Sequence, residues 1–147
     1  MAAGAEPGAP AAEPGSDPAA LPAAVLVLDD EPSIRAFLGK ALRAAGFEPV
    51  VVATGAEAIE AVRTRATIAA VLCDYRMAGM SGTEVHERLV GIRPELRDRF
   101  VFMSGDVLNA ELASFAAANG ASLLAKPFDL DTVQQTVRTL VEGAQRG

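Results

Sequence analysis

Residues 26–33 read LVLDDEPS, so that a short apolar run is followed at once by three acids and a proline. An apolar run of this length is typical of a parallel β-strand that is buried on both faces. Pro32 favours the first turn of a helix, because its ring already has the backbone angle that a helix needs there. The segment therefore predicts a strand, a polar turn and then a helix.

The same pattern occurs five times along the chain. The predicted strands are Val25–Leu28, Pro49–Val52, Ile68–Cys73, Phe100–Met103 and Ser122–Leu124. The stretches between them have helical periodicity, and Thr54 with Glu57 has the spacing of a capping box. Asp106 and Asp129 are expected to cap the last two helices. Five strand–helix pairs with right-handed crossovers predict an α/β fold with a doubly wound, five-stranded parallel sheet.

The composition divides the chain of 147 residues into three parts. Ala, Pro and Gly make up 18 of the first 24 residues, so residues 1–22 are predicted to be a disordered tail. Residues 23–143 are predicted to be one folded domain, and residues 144–147 a short C-terminal tail.

The charge and the cysteine content exclude several classes of protein. The net charge is −6 and there is no basic run, which argues against binding to nucleic acid or to an anionic membrane. A single Cys excludes a disulfide scaffold and a Cys-rich zinc site. No apolar run approaches the roughly 20 residues of a membrane span, and the N-terminus lacks the features of a secretory signal. We therefore expect a cytoplasmic protein.

Polar side chains follow the predicted strands at the edge where parallel strands end. These residues are Asp29 and Asp30 after the first strand, Asp74 after the third, Ser104 after the fourth and Lys126 after the fifth. Doubly wound sheets bind their ligands at this edge. Three carboxylates suit Mg²⁺, and a lysine and a hydroxyl suit the oxygens of a phosphoryl group. Together these groups favour phosphoryl transfer.

On these residues the sequence resembles the receiver domains of response regulators in two-component signalling, over about residues 24–141. The motifs that carry the resemblance are Asp29-Asp30, Asp74, the Met77–Gly82 loop, Ser104-Gly105 and Lys126-Pro127-Phe128. Each motif alone is weak, whereas all five in this order and at these spacings are highly specific. The resemblance implies a flavodoxin-like (βα)5 fold with strand order 2-1-3-4-5.

The resemblance also implies the roles of the residues that handle the phosphoryl group. Asp74 would be the phosphoacceptor, which attacks the phosphorus of a phosphohistidine on a partner kinase. Ser104 would bond to one phosphoryl oxygen and Lys126 would pair with another. The peptide bond between Lys126 and Pro127 is expected to be cis.

A second set of residues would hold the cofactor, Mg²⁺. The resemblance implies that Asp29, Asp30 and Asp74 bind it through their carboxylates, and that the backbone carbonyl of Arg76 completes the protein ligands. Phosphorylation would then change the face formed by helix 4, strand 5 and helix 5.

Some positions depart from the family pattern. Leu123 stands where receivers often carry Tyr or Phe, which puts the usual aromatic switch in doubt, and Ala78 replaces the usual Pro of the loop. Arg76 and Asp106 each lie two residues beyond a site residue, and we consider an ion pair between them that shields the phosphoryl group from water.

Two residues near the motifs are expected to have no role in the chemistry. His86 is interpreted as a solvated residue on the polar side of helix 3. Cys73 precedes Asp74 on a strand, so it is expected to point to the opposite face and to be a small buried residue.

The leading hypothesis is a receiver that signals by protein contact, with no enzyme activity beyond its own phosphorylation and slow autodephosphorylation. Its expected partners are a histidine kinase or a histidine phosphotransfer protein and an unknown downstream protein, with dimerisation on phosphorylation left open. One alternative is a degenerate receiver that binds proteins without phosphorylation. The other is a phosphatase of the haloacid-dehalogenase type, but that family has an Asp-x-Asp motif where this chain has Asp29-Asp30-Glu31. The sequence also leaves open a receiver that belongs to a hybrid kinase.

Overall fold

The computed structural model describes residues 22–77, 79–106 and 109–146. Strands and helices alternate along these described residues, and a short 3₁₀ helix, Pro94–Arg99, precedes the fourth strand. The strands are β1 (Ala24–Leu28), β2 (Glu48–Val52), β3 (Ile68–Asp74), β4 (Phe100–Ser104) and β5 (Ser122–Ala125). The helices are α1 (Pro32–Ala44), α2 (Gly55–Thr64), α3 (Gly82–Ile92), α4 (Ala110–Asn119) and α5 (Leu130–Arg146). The predicted N-terminal tail, apart from Pro22, and Ala78 lie outside the described residues. Residues 144–146, predicted to belong to a C-terminal tail, instead continue α5.

The five strands form one parallel sheet in the order β2-β1-β3-β4-β5, which confirms the predicted fold. Each strand is one residue longer than its predicted apolar run. In β3 and β4 the additional residues are Asp74 and Ser104, and both pair in register with the neighbouring strand. These two side chains are therefore attached to the end of a rigid sheet rather than to a loop.

Successive side chains of each strand point to opposite sides of the sheet, and an apolar core lies on each face. Val25 and Val27 of β1 pack with Leu38 of α1 and Val137 of α5 on one face. Alternate strand residues, Phe102 among them, pack toward α2, α3 and α4 on the other face. Cys73 is fully buried on this second face, as expected, and burial raises the pKa of its thiol. None of the described helices has the length and apolar character that a membrane span requires.

Local capping interactions fix where several helices begin. Thr54 and Glu57 form the predicted capping box of α2. Asp129 accepts a hydrogen bond from the N–H of Thr132 at 2.8 Å, at the start of α5. The prediction that Asp106 caps α4 is wrong, because α4 begins at Ala110 and Asn109 is its cap.

The interpretation of His86 as a solvated residue is wrong, because its side chain is buried. Its side chain lies in the core and is 2% exposed. Its ring centroid is 4.7 Å from that of Phe100, 5.2 Å from that of Phe115 and 5.9 Å from that of Phe102. His86 lies three residues before the buried Leu89, so both project from the same face of α3. Among the described residues, Nε2 of His86 has no hydrogen-bond partner.

The buried position of His86 predicts a loss of stability in mild acid. Burial and the charge of Arg97 lower the pKa of His86 from its usual 6.5, and Glu87 opposes this shift. In the unfolded chain His86 takes up a proton near pH 6.5, whereas the folded protein binds it only at lower pH. The free energy of unfolding therefore decreases as the pH falls from 6.5 toward the native pKa, by at most about 1.4 kcal/mol per pH unit.

Urea unfolding between pH 7.5 and 5.5 tests this prediction. His86 is the one histidine of the chain, so His86→Phe removes its titration and is expected to make the pH dependence shallower. Equal slopes for the wild type and His86→Phe would contradict the prediction.

Candidate functional site

Three carboxylates meet at the carboxyl edge of the sheet. Asp29 follows β1, Asp30 is the next residue, and Asp74 ends β3. Each of the three offers a carboxylate oxygen, and these oxygens all lie within 4.8 Å of one another. Asp29 is 0% exposed and Asp74 is 6% exposed, whereas Asp30 faces solvent. The sheet therefore brings together the three carboxylates that the sequence analysis expects to bind metal.

This set of donors fits Mg²⁺. Mg²⁺ prefers carboxylate oxygens and water, and the exposure of Asp30 leaves one side of the cluster open to solvent. The cluster contains no sulfur or nitrogen ligand, so it does not resemble a zinc site. The mutual repulsion of the carboxylates is a further reason for a cation to bind here.

Lys126 directly follows β5 and reaches two of the three carboxylates. Its ammonium donates a hydrogen bond to Oδ2 of Asp29 at 3.0 Å and lies 3.5 Å from Oδ1 of Asp74. Burial disfavours the charge, but Asp29 and Asp74 outweigh it and raise the pKa of Lys126. The lysine is therefore charged at neutral pH. Its peptide bond with Pro127 is cis, which the resemblance implies.

Asp74 has an environment that opposes its ionisation. Burial and the neighbouring charge of Asp29 raise the pKa of Asp74 above its usual value of 3.8. Lys126 and the backbone N–H of Arg76 act in the other direction. The positive charge of Lys126 thus counters the repulsion between two nearly buried carboxylates.

Ser104 ends β4, and its hydroxyl already takes part in one hydrogen bond. It is 3% exposed, and its Oγ accepts a hydrogen bond from the backbone N–H of Asp106 at 3.0 Å. This bond uses an acceptor site of the hydroxyl and leaves its O–H to act as a donor. The backbone carbonyl of Ser104 accepts from the N–H of Lys126 at 2.8 Å, which ties the two residues together.

Arg76 and Asp106 are both exposed, and the structure does not pair them. Among the described residues, no ion pair within 4.0 Å joins the two side chains. The hypothesis of an ion pair across the site therefore has no support in this structure. The backbone of Arg76 lies close enough to Asp74 to lower its pKa.

Leu123 occupies a half-buried position on β5, opposite Phe102 of β4. It packs against the same apolar core as Tyr75, the residue that follows Asp74. The ring of Tyr75 packs edge to face on Phe102, with 5.9 Å between the ring centroids. An aromatic ring therefore follows β3 directly after Asp74, whereas position 123 on β5 carries an aliphatic side chain.

Sequence reasoning missed one residue that contacts the site. Arg35 of α1 donates a hydrogen bond from Nη1 to the backbone carbonyl of Asp29 at 2.8 Å. The sequence signal for this contact was the position of Arg35, which lies one turn into a predicted helix and six residues after Asp29.

An apolar groove of about 380 Å³ opens beside the site. Its walls are Ile34 and Phe37 of α1 and the Pro127-Phe128 segment, with Lys126 and Glu31 at its polar end. The rings of Phe37 and Phe128 stack with their centroids 6.0 Å apart. Apolar surface thus lies directly next to the cluster of charges.

Comparisons with known proteins agree with this arrangement. The family model for the response regulator receiver domain matches residues 25–138. The receiver protein CpdR of Brucella abortus is 31% identical over 118 residues, which cover 80% of this chain and 96% of that protein. The transcriptional regulatory protein ZraR of Escherichia coli O157:H7 is 33% identical over 114 residues, or 77% of this chain. The chain spans only 25% of ZraR.

A solved structure has the same fold. The chemotaxis protein CheY4 of Vibrio cholerae aligns with a TM-score of 0.72 and 27% identity, over 82% of this chain and 99% of that one. This agreement in fold and the match of the family model over residues 25–138 both indicate the family of the chain. The chain belongs to the family of response regulator receiver domains.

Proposed function

We propose that this receiver accepts a phosphoryl group on Asp74, in a two-component phosphorelay that requires Mg²⁺. The observation that carries the proposal is the position of the Asp74 carboxylate. It lies at the end of β3, within 4.8 Å of carboxylate oxygens of Asp29 and Asp30, and 3.5 Å from the ammonium of Lys126. Receiver domains are signalling domains, so we do not propose an independent enzyme activity.

In the proposed step, a carboxylate oxygen of Asp74 attacks the phosphorus of a phosphohistidine. The O–P bond forms as the N–P bond breaks, and the electron pair returns to the imidazole nitrogen of the donor. The ammonium of Lys126 balances negative charge on one phosphoryl oxygen, and the O–H of Ser104 donates to another. These groups are attached to adjacent strand ends, so little reorganisation accompanies the transfer.

The carboxylates of Asp29, Asp30 and Asp74 would hold Mg²⁺, with the backbone carbonyl of Arg76 as a further ligand. The bound cation would neutralise charge on the carboxylates and on the incoming phosphoryl group. Without it, the charge of Lys126 is shared between two carboxylates, at 3.0 and 3.5 Å. Receiver domains bind Mg²⁺ at an acidic pocket of this kind.

The proposed phosphodonor is a protein, either a histidine kinase or a histidine phosphotransfer protein. The family interacts with such proteins. The groove that Ile34, Phe37 and Phe128 line gives such a partner an apolar contact next to Lys126. The response is proposed to be a change in the face of α4, β5 and α5, which a downstream protein then recognises.

Incubation with acetyl phosphate and Mg²⁺ tests the proposed function. We expect intact-mass spectrometry to detect one added phosphoryl group on the wild type. No addition is expected with EDTA or in Asp74→Ala, because the first removes the cation and the second the nucleophile. Glu84→Ala, which replaces a half-buried acid on α3 that pairs with Arg88, is a control that should be modified normally.

The other outcomes distinguish the alternatives. An unmodified wild type that does not bind Mg²⁺ would favour a degenerate receiver that only binds proteins. Sustained hydrolysis of phosphate esters would favour a phosphatase. Either result would overturn the proposal.

A further inference from the structure

Arg35 lies in the second turn of α1, and its side chain reaches back to the end of β1. Its Nη1 donates a hydrogen bond to the backbone carbonyl of Asp29 at 2.8 Å. The residue is half-buried, so this bond is partly shielded from solvent. A hydrogen bond from a guanidinium to a carbonyl is stronger than one between two neutral groups.

The carbonyl that Arg35 contacts belongs to the peptide group between Asp29 and Asp30. This planar group joins the Cα atoms of both residues, so its orientation sets the directions in which their side chains leave the backbone. The sheet still holds the preceding peptide, because the N–H of Asp29 donates to the backbone carbonyl of Val52 in β2 at 3.3 Å. For the Asp29–Asp30 peptide no backbone bond to a strand is found among the described residues, so the Arg35 bond is what holds it.

The contacts of Asp29 show how closely its geometry is defined. Its Oδ1 accepts from the N–H of Glu31 at 2.9 Å, and its Oδ2 accepts from Lys126 at 3.0 Å. Asp30 is exposed, and no hydrogen bond of its carboxylate is found among the described residues. The direction of the Asp30 carboxylate thus depends strongly on the backbone at its own position.

The charge of Arg35 also acts on this end of the sheet. Hydrogen bonds from the backbone of Ala53 and Thr54 lower the pKa of Glu57, and the charge of Arg35 adds to this effect. The guanidinium is therefore close enough to the start of α2 for its charge to act on Glu57. Arg35 contacts the carbonyl of Asp29 and leaves the carboxylates available to a cation.

We propose that Arg35 is a positioning residue for the Mg²⁺ site, which acts through the Asp29–Asp30 peptide. This role rests on the proposed function, because it presumes that the three carboxylates bind Mg²⁺. Arg35 itself does not touch the cation or the phosphoryl group. Its loss should widen the range of directions of the Asp30 carboxylate and so weaken the binding of Mg²⁺.

Titration of the metal-free protein with Mg²⁺ tests this role. The chain has one Tyr and no Trp, so its intrinsic fluorescence reports on Tyr75, the neighbour of Asp74. We expect Arg35→Met to weaken Mg²⁺ binding about 10-fold or more, as the loss of an outer-shell partner does at other metal sites. Arg35→Lys keeps the charge and a donor nitrogen, and it should recover part of the affinity.

Two further measurements separate positioning from a purely structural role. The carbonyl ¹³C shift of Asp29 should change in Arg35→Met, because this nucleus reports directly on the hydrogen bond. Arg43→Met is the matched control, since Arg43 is an exposed arginine in the last turn of the same helix. It should leave both the shift and the Mg²⁺ affinity unchanged.

Wild-type Mg²⁺ affinity in folded Arg35→Met would overturn this role and leave the proposed function standing. If Arg35→Met does not fold, Arg35→Lys takes its place in the test. Wild-type Mg²⁺ affinity in Arg35→Lys, together with an altered carbonyl shift of Asp29, would then overturn this role. A wild type that binds no Mg²⁺, in a titration where a known receiver does, would overturn the proposed function and this role together. Asp30→Asn is expected to lose most of the affinity, which checks that the titration measures this site.

Discussion

Lys126→Met is expected to destabilise the metal-free protein by about 3 kcal/mol, because it leaves two nearly buried carboxylates without their counter-ion. Lys126 is 18% exposed, and its ammonium lies 3.0 Å from Asp29 and 3.5 Å from Asp74. Methionine keeps most of the length of the side chain, so the loss reports on charge rather than on packing. Urea unfolding in the presence of EDTA measures this change in the free energy of unfolding.

The same substitution should slow phosphorylation of Asp74 by acetyl phosphate about 100-fold or more. Lys126 is the proposed partner of a phosphoryl oxygen, and removal of one such donor costs this order of rate in other enzymes. The rate is measured at saturating Mg²⁺, so that a change in cation binding does not contribute.

A double-mutant cycle with Asp29→Asn provides the control. If the instability of Lys126→Met arises from the unpaired charge of Asp29, the double variant should be more stable than Lys126→Met alone. Strictly additive effects of the two substitutions would contradict this explanation.

Gly82→Ala is expected to destabilise the protein by about 2 kcal/mol, because the first turn of α3 passes very close to the end of β3. A Cβ atom at residue 82 would lie 2.9 Å from Cα of Tyr75 and 3.1 Å from the backbone oxygen of Asp74. Both contacts are with backbone, so no side chain can rotate away. The N–H of Gly82 also donates to the carbonyl of Tyr75 at 3.2 Å, and a shift would break this bond.

This displacement should also reach the site, because Tyr75 directly follows Asp74. We expect the rate of phosphorylation of Gly82→Ala to fall about 10-fold or more, since small errors in position are costly in group transfer. Thermal unfolding and the acetyl phosphate assay measure the two effects on the same sample.

Gly91→Ala is the matched control on the same helix. A Cβ at residue 91 has no atom within 4 Å, and the residue is exposed. This variant should be stabilised by roughly 0.5 kcal/mol, because alanine favours a helix more than glycine does. If both glycine variants shifted stability in the same direction, the proposed close contact at Gly82 would be wrong.

Local pattern was enough to predict a doubly wound parallel sheet, whereas the order of its strands came from the resemblance to receiver domains. The runs Val25–Leu28 and Ile68–Cys73 are continuously apolar because parallel strands are buried on both faces, and this requires no knowledge of distant contacts. The same logic selects Asp29, Asp74 and Ser104, since a polar residue that ends such a run must lie at the edge of the sheet. The ends of elements were less certain, and α4 is capped by Asn109 rather than by Asp106.

His86 shows why helical pattern alone can mislead. Its polarity favours the solvated side of α3, but α3 and α4 both pack on the face of β4 that carries Phe100 and Phe102. Two helices that share one sheet face bury a wider stripe of each helix than the apolar residues indicate. The spacing of three residues to Leu89 was the sign that His86 belongs to that stripe.

The sequence by itself determined which residues are candidates for the chemistry, since strand ends and residue types are local properties. Only the tertiary structure decided which of them act on one another. Lys126 lies 97 residues from Asp29 along the chain, yet the two side chains pair at 3.0 Å because β1 and β5 end at the same edge of the sheet. The close approach at Gly82 likewise depends on how α3 meets the end of β3, and no local pattern indicates that distance.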